Sequence, residues 1–337
     1  MQPLRLLRCC CWQFHRAMQD SLSMFQSEVN LKHLSNYKIG GGADYFFSAK
    51  DIQRLIGAVA VAEKNNLPIF ILGGGTNLLI NDGGFKGLVL KPDIKKLEIE
   101  KSDKEQVLVR VGSGILVTEF LNFLISNSLS GMEWAGGLPG TVGGAIRGNA
   151  GAFTGETKDA VAEVVSLDIS KKQPKIIRRD NKECKFGYRN SIFKINDGRE
   201  IITEAVFYFQ RGDKQAIKKL VEEKINYRRS RHPMEYPNIG SIFKNVDLRL
   251  IPKNKQKNFA NIVKKDPFPV IPTAYLISEA GLRGVSYGGA MISPKHPNFI
   301  VNALDANAKD VKTLINLVKA SVKRKFGVSL EEEIIYV

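Results

Sequence analysis

Two clusters of small residues mark where this chain could do chemistry. Residues 72–79 read LGGGTNLL, an apolar run that passes straight into Gly73, Gly74 and Gly75, followed by Thr76, Asn77 and Leu78. Glycine lets a backbone turn tightly and bring its N–H groups against a ligand, and the Thr and Asn side chains add hydrogen bonds, a combination suited to a pyrophosphate. A Walker A loop would need Lys then Ser or Thr after its last glycine, and a Rossmann fingerprint would need glycine where Leu78 stands. Taken alone, the loop is equally compatible with a tight structural turn. The second cluster runs from Gly136 through Pro139, Gly140, Thr141, Gly143 and Gly144 to Asn149, Ala150 and Gly151. Glycine at this density costs backbone entropy, roughly 0.5–1 kcal/mol each in regular structure, so something is expected to lie close against this backbone. Two such loops in one chain favour an extended dinucleotide over a pair of structural turns.

Other reactive side chains are less telling by themselves. Ser241 follows Gly240 in YPNIGSIFKN, where a serine reads as a turn or cap residue, and a free serine is a very weak acid. Arg189 stands between Tyr188 and Asn190 in FGYRNSIF, and the neighbouring Phe186, Tyr188 and Phe193 favour partial burial of its guanidinium against a ligand. Arg229, Arg231 and Lys244 flank the Ser241 segment and are equally compatible with a diphosphate contact and with solvated charge. His232 and His296 could suggest a Ser–His hydrolase, but no G-x-S-x-G elbow surrounds Ser241. Cys9, Cys10, Cys11 and Cys184 lack the separated pairs of a disulfide framework or a zinc site, so reduced thiols and no metal are expected.

The elements that must position these groups are mixed. Asp51 can cap a helix with Leu55, Ile56, Val59 and Ala62 apolar, running to about Asn65, and a short buried strand, residues 68–72, leads into the first glycine loop. Strands are expected at 107–111, 162–168 and 201–209, and helices at 118–125, 214–227 and 274–280. A last helix carries Val311, Leu314, Ile315, Val318, Val322 and Phe326 on one face and stops at Gly327. This irregular alternation predicts an α+β fold with a boundary near Gly212.

The chain has 337 residues, 43% of them hydrophobic, enough for two or three domains. No apolar run approaches the roughly 18–20 residues of a membrane span. Lys plus Arg is 50 against 34 for Asp plus Glu, a formal +16 that attracts anions. The charge is scattered, without zinc-finger spacing or an RNP1 motif, so no nucleic-acid partner is expected. Residues 1–24 carry Arg5, Arg8 and Arg16 but no apolar signal core, and read as a dispensable extension whose removal to residue 23 leaves folding intact.

The number and order of the motifs give a sharper reading. KIGGGADYF (38–46), ILGGGTNLLINDGGFKGLVL (71–90), GLPGTVGGAIRGNAGAFTGE (137–156), FGYRNSIF (186–193), YPNIGSIFKN (236–245), GGAMISPKHPNFIVN (288–302) and LEEEI (330–334) together resemble the UDP-N-acetylenolpyruvoylglucosamine reductase (MurB) family from about Leu31 onward. The resemblance implies a two-lobed FAD-binding unit of the vanillyl-alcohol oxidase and p-cresol methylhydroxylase type over 25–212, with lobes at about 25–96 and 97–212. A C-terminal α+β substrate-binding domain over 213–337 would follow. FAD would be held by Gly73, Gly74, Gly75, Thr76, Asn77, Leu78, Pro139, Gly140, Thr141, Gly143, Gly144, Asn149, Ala150 and Gly151.

The implied reaction reduces the enolpyruvyl ether of UDP-N-acetylglucosamine with NADPH, in peptidoglycan precursor synthesis, by a cytoplasmic monomer. Another FAD-dependent oxidoreductase on the same scaffold is the alternative. By motif position Ser241 corresponds to the proton donor, Arg189 to the cation that binds carboxylate and enolate, and Glu333 to its partner. Tyr188, Arg231, Lys244 and Asn298 would bind substrate. The family pattern is Leu-Glu-Pro-Glu-Val, and Glu332 replaces the proline here; alignment selects Glu333, whereas strand alternation alone does not separate it from Glu331. A glutamate beside a substrate carboxylate is expected to carry or share a proton in the complex.

Overall fold

The computed structural model describes residues 22–103, 106–171, 173–265 and 268–337. Cys9, Cys10, Cys11 and nearly all of the expected extension lie outside these residues. The first lobe is a four-stranded sheet. Gln26–Asn30 pairs antiparallel with Gly42–Ala49, which pairs in parallel with Phe85–Pro92, which pairs in parallel with Ile69–Ile71. The helix Ile52–Lys64 covers it, starting where the Asp51 carboxylate accepts the Arg54 N–H at 2.8 Å. Its Leu55, Ala58, Val59 and Ala62 recur at helical spacing and are buried in one cluster with Leu88 and Leu90 of the sheet.

The second lobe is antiparallel. Its sheet runs in the order Lys175–Asp180, Val161–Asp168, Glu200–Arg211, Val107–Gly112, Leu97–Ser102. Val107, Val109 and Val111 alternate into a core with Phe120 of the helix Val117–Ser126 and with Phe207 and Phe209. An element not anticipated from sequence, the helix Val142–Gly148, lies inside the second glycine run and is capped by Thr141, whose Oγ1 accepts the Gly144 N–H at 3.3 Å.

The C-terminal core is built on the helix Ala308–Phe326, with Val311, Leu314, Ile315, Val318 and Val322 buried, and the helix ends as expected at Gly327, in the left-handed region at φ 77°. A small sheet, Ser286–Tyr287, Ala290–Ile292 and Ile300–Asn302, packs beside it. Tyr37, Ile39 and Leu79 of the first lobe join this core, and the Tyr37 hydroxyl donates to the Ile300 carbonyl at 2.8 Å.

The division between the parts falls later than residue 213. The helix Lys214–Arg231 sends Val221 into the core of the second lobe, against Gly136 of the second glycine run, and the C-terminal core takes up the chain from Ile239. With only Ile217 and Val221 buried, the expected helix at 214–227 carries too narrow an apolar face to show in sequence which core it joins. Among the described residues no helix is long and apolar enough to cross a membrane.

Candidate active site

The two glycine loops touch. A Cβ on Gly74 would lie 2.6 Å from the Gly140 Cα, and one on Gly140 would lie 2.9 Å from Thr76 Oγ1, so glycine at both positions serves the contact between the loops, apart from any ligand. Together they line one side of a cavity of about 670 Å³. In the helix Val142–Gly148 the glycines divide by face. Gly143 packs on Ser113, where a Cβ would come within 2.8 Å of the serine Cβ. Gly144 and Gly148, four residues apart, line the cavity: a Cβ on the first meets only Thr141 Oγ1 at 3.5 Å, and on the second nothing within 4 Å. A strip of bare backbone thus faces the cavity, a cradle that side chains would fill and that suits a flat, extended ligand.

Twelve of the fourteen expected cofactor residues line this cavity; Gly143 and Asn149 do not. Gly143 faces the opposite way for the packing reason given. Asn149 is completely buried, and it spends its side chain on Glu156 Oε2 (3.2 Å), the Gly187 carbonyl (3.0 Å) and the Lys158 N–H (3.0 Å). It ties the glycine run to the Arg189 turn.

That turn is closed by Gly187 and Asn190, each donating its N–H to the other's carbonyl, at 3.0 and 3.1 Å. Within it Arg189 has φ 53°, a left-handed conformation disfavoured for residues with a Cβ and enriched at functional sites. Its Nε stands 2.8 Å from Glu333 Oε1 in an ion pair and its Nη2 donates to the Gly151 carbonyl at 2.8 Å, while the guanidinium lies 5.2 Å from the Tyr188 ring centroid. Tyr188 in turn meets Phe268 edge to face at 5.3 Å, and burial pushes its phenol pKa up.

Glu333 is delivered by strand pairing across the molecule. Ile335–Tyr336 pairs in parallel with Leu78–Leu79, immediately after the first glycine loop. Asn77 Nδ2 donates to the Glu333 carbonyl at 3.0 Å, and the Glu333 N–H donates to the carbonyl of Ile242, the neighbour of Ser241, at 2.8 Å. The three consecutive glutamates separate cleanly. Glu331 pairs with Lys244 on the exposed side, Glu332 with Lys319 at 2.8 Å and the Tyr336 hydroxyl at 2.5 Å, and Glu333 with Arg189.

Ser241, Tyr188, Arg189 and Glu333 line the same cavity. Asn298 reaches it too, but its amide is committed: Oδ1 accepts the Phe243 N–H at 3.1 Å and Nδ2 donates to the Phe243 carbonyl at 2.8 Å. Its side chain therefore supports the Ser241 segment. Lys244 turns to Glu331 and lines a smaller adjoining cavity of about 440 Å³. Arg231 is exposed at the end of its helix, 6.0 Å from the Tyr227 ring, and is not brought to either cavity.

The cation that occupies the wall is Arg228, which sequence reasoning missed. Its Nε donates to the Gly136 carbonyl at 2.8 Å, its guanidinium lies 5.3 Å from the Phe153 ring, and its Nη2 is buried without a partner. Burial, then Arg189, push its pKa down. Ile217, Val221 and Ile225 span a sector of about 80° at about 100° per residue; residue 228 falls inside that sector, and 229 and 231 fall outside it. The cavity is lined by Arg147, Arg189, Lys194 and Arg228 against Asp197 and Glu333, so four cations face two carboxylates. An anionic ligand fits that imbalance.

His232, on the cavity wall, packs its ring 5.3 Å from His296 and 4.9 Å from Phe299. Burial lowers both histidines from 6.5 to about 4. The unfolded chain then binds more protons than the folded one between those values, so this contribution to stability is complete above about 6.5 and is lost as the pH falls toward 4. Thermal melts across this range should show Tm falling with acidification less steeply in His296→Phe than in the parent; parallel slopes would refute the assignment.

A family model described as the C-terminal domain of UDP-N-acetylenolpyruvoylglucosamine reductase matches residues 232–337, and one described as an FAD binding domain matches residues 43–178. A UDP-N-acetylenolpyruvoylglucosamine reductase from Lachnoclostridium phytofermentans is 38% identical over 304 residues, covering 90% of this chain and 89% of its own. One from Clostridium novyi is 34% identical over 309 residues, covering 92% and 91%. The crystal structure of UDP-N-acetylenolpyruvylglucosamine reductase (MurB) from Thermus caldophilus is similar with a TM-score of 0.67 at 27% identity, over 93% of this chain and 99% of that one.

Proposed function

Since this chain belongs to the UDP-N-acetylenolpyruvoylglucosamine reductase family, we propose that it reduces UDP-N-acetylenolpyruvoylglucosamine to UDP-N-acetylmuramate, with NADPH as hydride donor and FAD as cofactor. The observation that carries this reading is the Arg189–Glu333 pair, held beside the first glycine loop and sharing one cavity with Ser241. The bare strip at Gly144 and Gly148, the paired glycine loops and the surplus of cations on the cavity wall suit a dinucleotide with a diphosphate. FAD, when bound, supplies to the enolpyruvyl group the hydride that it has taken from NADPH.

Addition of hydride to the terminal carbon of the enol ether leaves carbanion character beside the substrate carboxylate. Arg189 meets that charge: its guanidinium is fixed at two points and largely screened from water, so it stabilises a developing enolate without reorganising. Ser241 gives its hydroxyl proton to the carbon next to the carboxylate, a transfer a weak acid can make only to so strong a base. Glu333 fixes the guanidinium in the orientation that meets the substrate. NADPH and the sugar nucleotide are both anionic, and each must bring a carbon to the same reactive position, so the two occupy this cavity alternately. The protein acts as a monomer in the cytoplasm.

The test is anaerobic: record the visible spectrum, bleach the flavin with NADPH, add the enolpyruvyl UDP-sugar and follow the return of colour. Flavin that bleaches but is not restored would retain the cofactor and refute the substrate. The cradle has its own test. Gly144→Val has room at its Cβ and puts branches into the strip, so FAD affinity is expected to fall by more than about tenfold, with an unchanged circular-dichroism spectrum. Undiminished FAD binding by equilibrium dialysis would show that the strip is not the flavin surface.

A further inference from the structure

Arg189 serves the reaction only while its backbone stays in the left-handed region, which its own side chain disfavours. The turn pair Gly187–Asn190 and the Asn149 amide hold one side of that turn. On the other side stands Lys194, whose Nζ donates to the Arg189 carbonyl at 3.0 Å. Lys194 lies in the single helical turn Ile192–Ile195, which starts where the Ser191 side chain accepts the Lys194 N–H, and the Ser191 hydroxyl also donates to the Arg147 carbonyl at 2.7 Å. Phe193, next to it, is buried in the second-lobe core, so the start of the lysine stem is fixed.

Lys194 forms no ion pair with any carboxylate among the described residues, and desolvation, Lys244 and Arg147 all push its pKa down. A half-buried ammonium facing Lys244 and Arg147, which Glu333 and Glu331 offset only in part, is costly unless a hydrogen bond holds it. It sits between the two cavities, and its one hydrogen-bond acceptor among the described residues, the carbonyl of a strained active-site arginine, supplies that hold.

We propose that Lys194 is a positioning residue. Its ammonium grips the Arg189 carbonyl, fixing the backbone twist that keeps the guanidinium paired with Glu333 and aimed into the cavity. This rests on the reductase reading for its catalytic consequence, though not for its structural one. Methionine at 194 keeps the length of the stem and removes every donor; arginine keeps the charge and the donors.

The experiment measures hydrogen exchange at the Arg189 Nε–H by NMR in arginine-labelled, flavin-bound protein. Exchange is expected to accelerate at least about tenfold in Lys194→Met and to stay close to the parent rate in Lys194→Arg. In stopped flow, reoxidation of reduced flavin by saturating enolpyruvyl sugar should slow by about 10- to 100-fold in Lys194→Met, whereas the rate of flavin reduction at saturating NADPH, where any loss of charge attraction has been overcome, stays within about twofold of the parent.

Unchanged exchange in Lys194→Met overturns the proposal, as does equal slowing of both half-reactions, which a general loosening of the fold would give. If Lys194→Met does not retain flavin, Lys194→Gln, which keeps a shorter donor, takes its place with intermediate exchange expected and parental exchange refuting. Should the parent itself not be reoxidised by the sugar, the functional reading falls, while the Nε–H exchange still decides the role of Lys194.

Discussion

Ser241→Ala is expected to bind FAD normally, to be reduced by NADPH at the parental rate, and to lose about 10²- to 10⁴-fold in reoxidation by the enolpyruvyl sugar. The separation follows from where the serine sits. Its segment is held by the Ile242 N–H on the Asn298 carbonyl, by the Asn298 amide on Phe243 and by the Glu333 N–H on Ile242, so removing the hydroxyl leaves these supports in place. Only the second half-reaction leaves carbanion character to be protonated, so only that half should report the loss. Rapid-reaction absorbance at the flavin band measures both halves in one preparation. Equal rates in the second half would mean that another group delivers the proton, and equal losses in both would mean that the hydroxyl serves binding.

Much of this arrangement could be read from residue order, and the parts that could not share a cause. The helices Ile52–Lys64 and Ala308–Phe326 carry their apolar stripe, their cap and, for the second, the glycine stop in plain sight, because their burial is one-sided. The helix Val142–Gly148 was illegible because three of its seven residues are glycines, each costing about 1 kcal/mol against alanine in a helix interior. Tertiary demands override that cost: Gly143 must clear Ser113, and Gly144 and Gly148 leave the cavity face bare. Local periodicity said nothing about Asn149 or Asn298, whose amides bond backbone groups distant in sequence. The same holds for the assignment among Glu331, Glu332 and Glu333, which depends on the parallel pairing of Ile335–Tyr336 with Leu78–Leu79 and on where Lys244, Lys319 and Arg189 stand.

That long-range pairing bears on the second large effect. Arg189→Lys keeps the positive charge, yet it is expected to slow reoxidation by the sugar about 10²- to 10³-fold, the scale for losing one preorganised donor at a developing oxyanion. The planar guanidinium reaches Glu333 through Nε and the Gly151 carbonyl through Nη2 at once, and it lies over the Tyr188 ring; a single ammonium on a flexible stem cannot keep that span. If Arg189 and Glu333 act as one device, the pair should also be non-additive. Glu333→Gln added to Arg189→Lys should then cost much less than it costs in the parent, because the orientation that Glu333 enforces has already been lost. Rates for the four proteins in the sugar half-reaction close that cycle. Additive losses would mean that Glu333 acts on the substrate independently of Arg189, and a parental rate in Arg189→Lys would mean that charge alone, without the fixed geometry, suffices at this site.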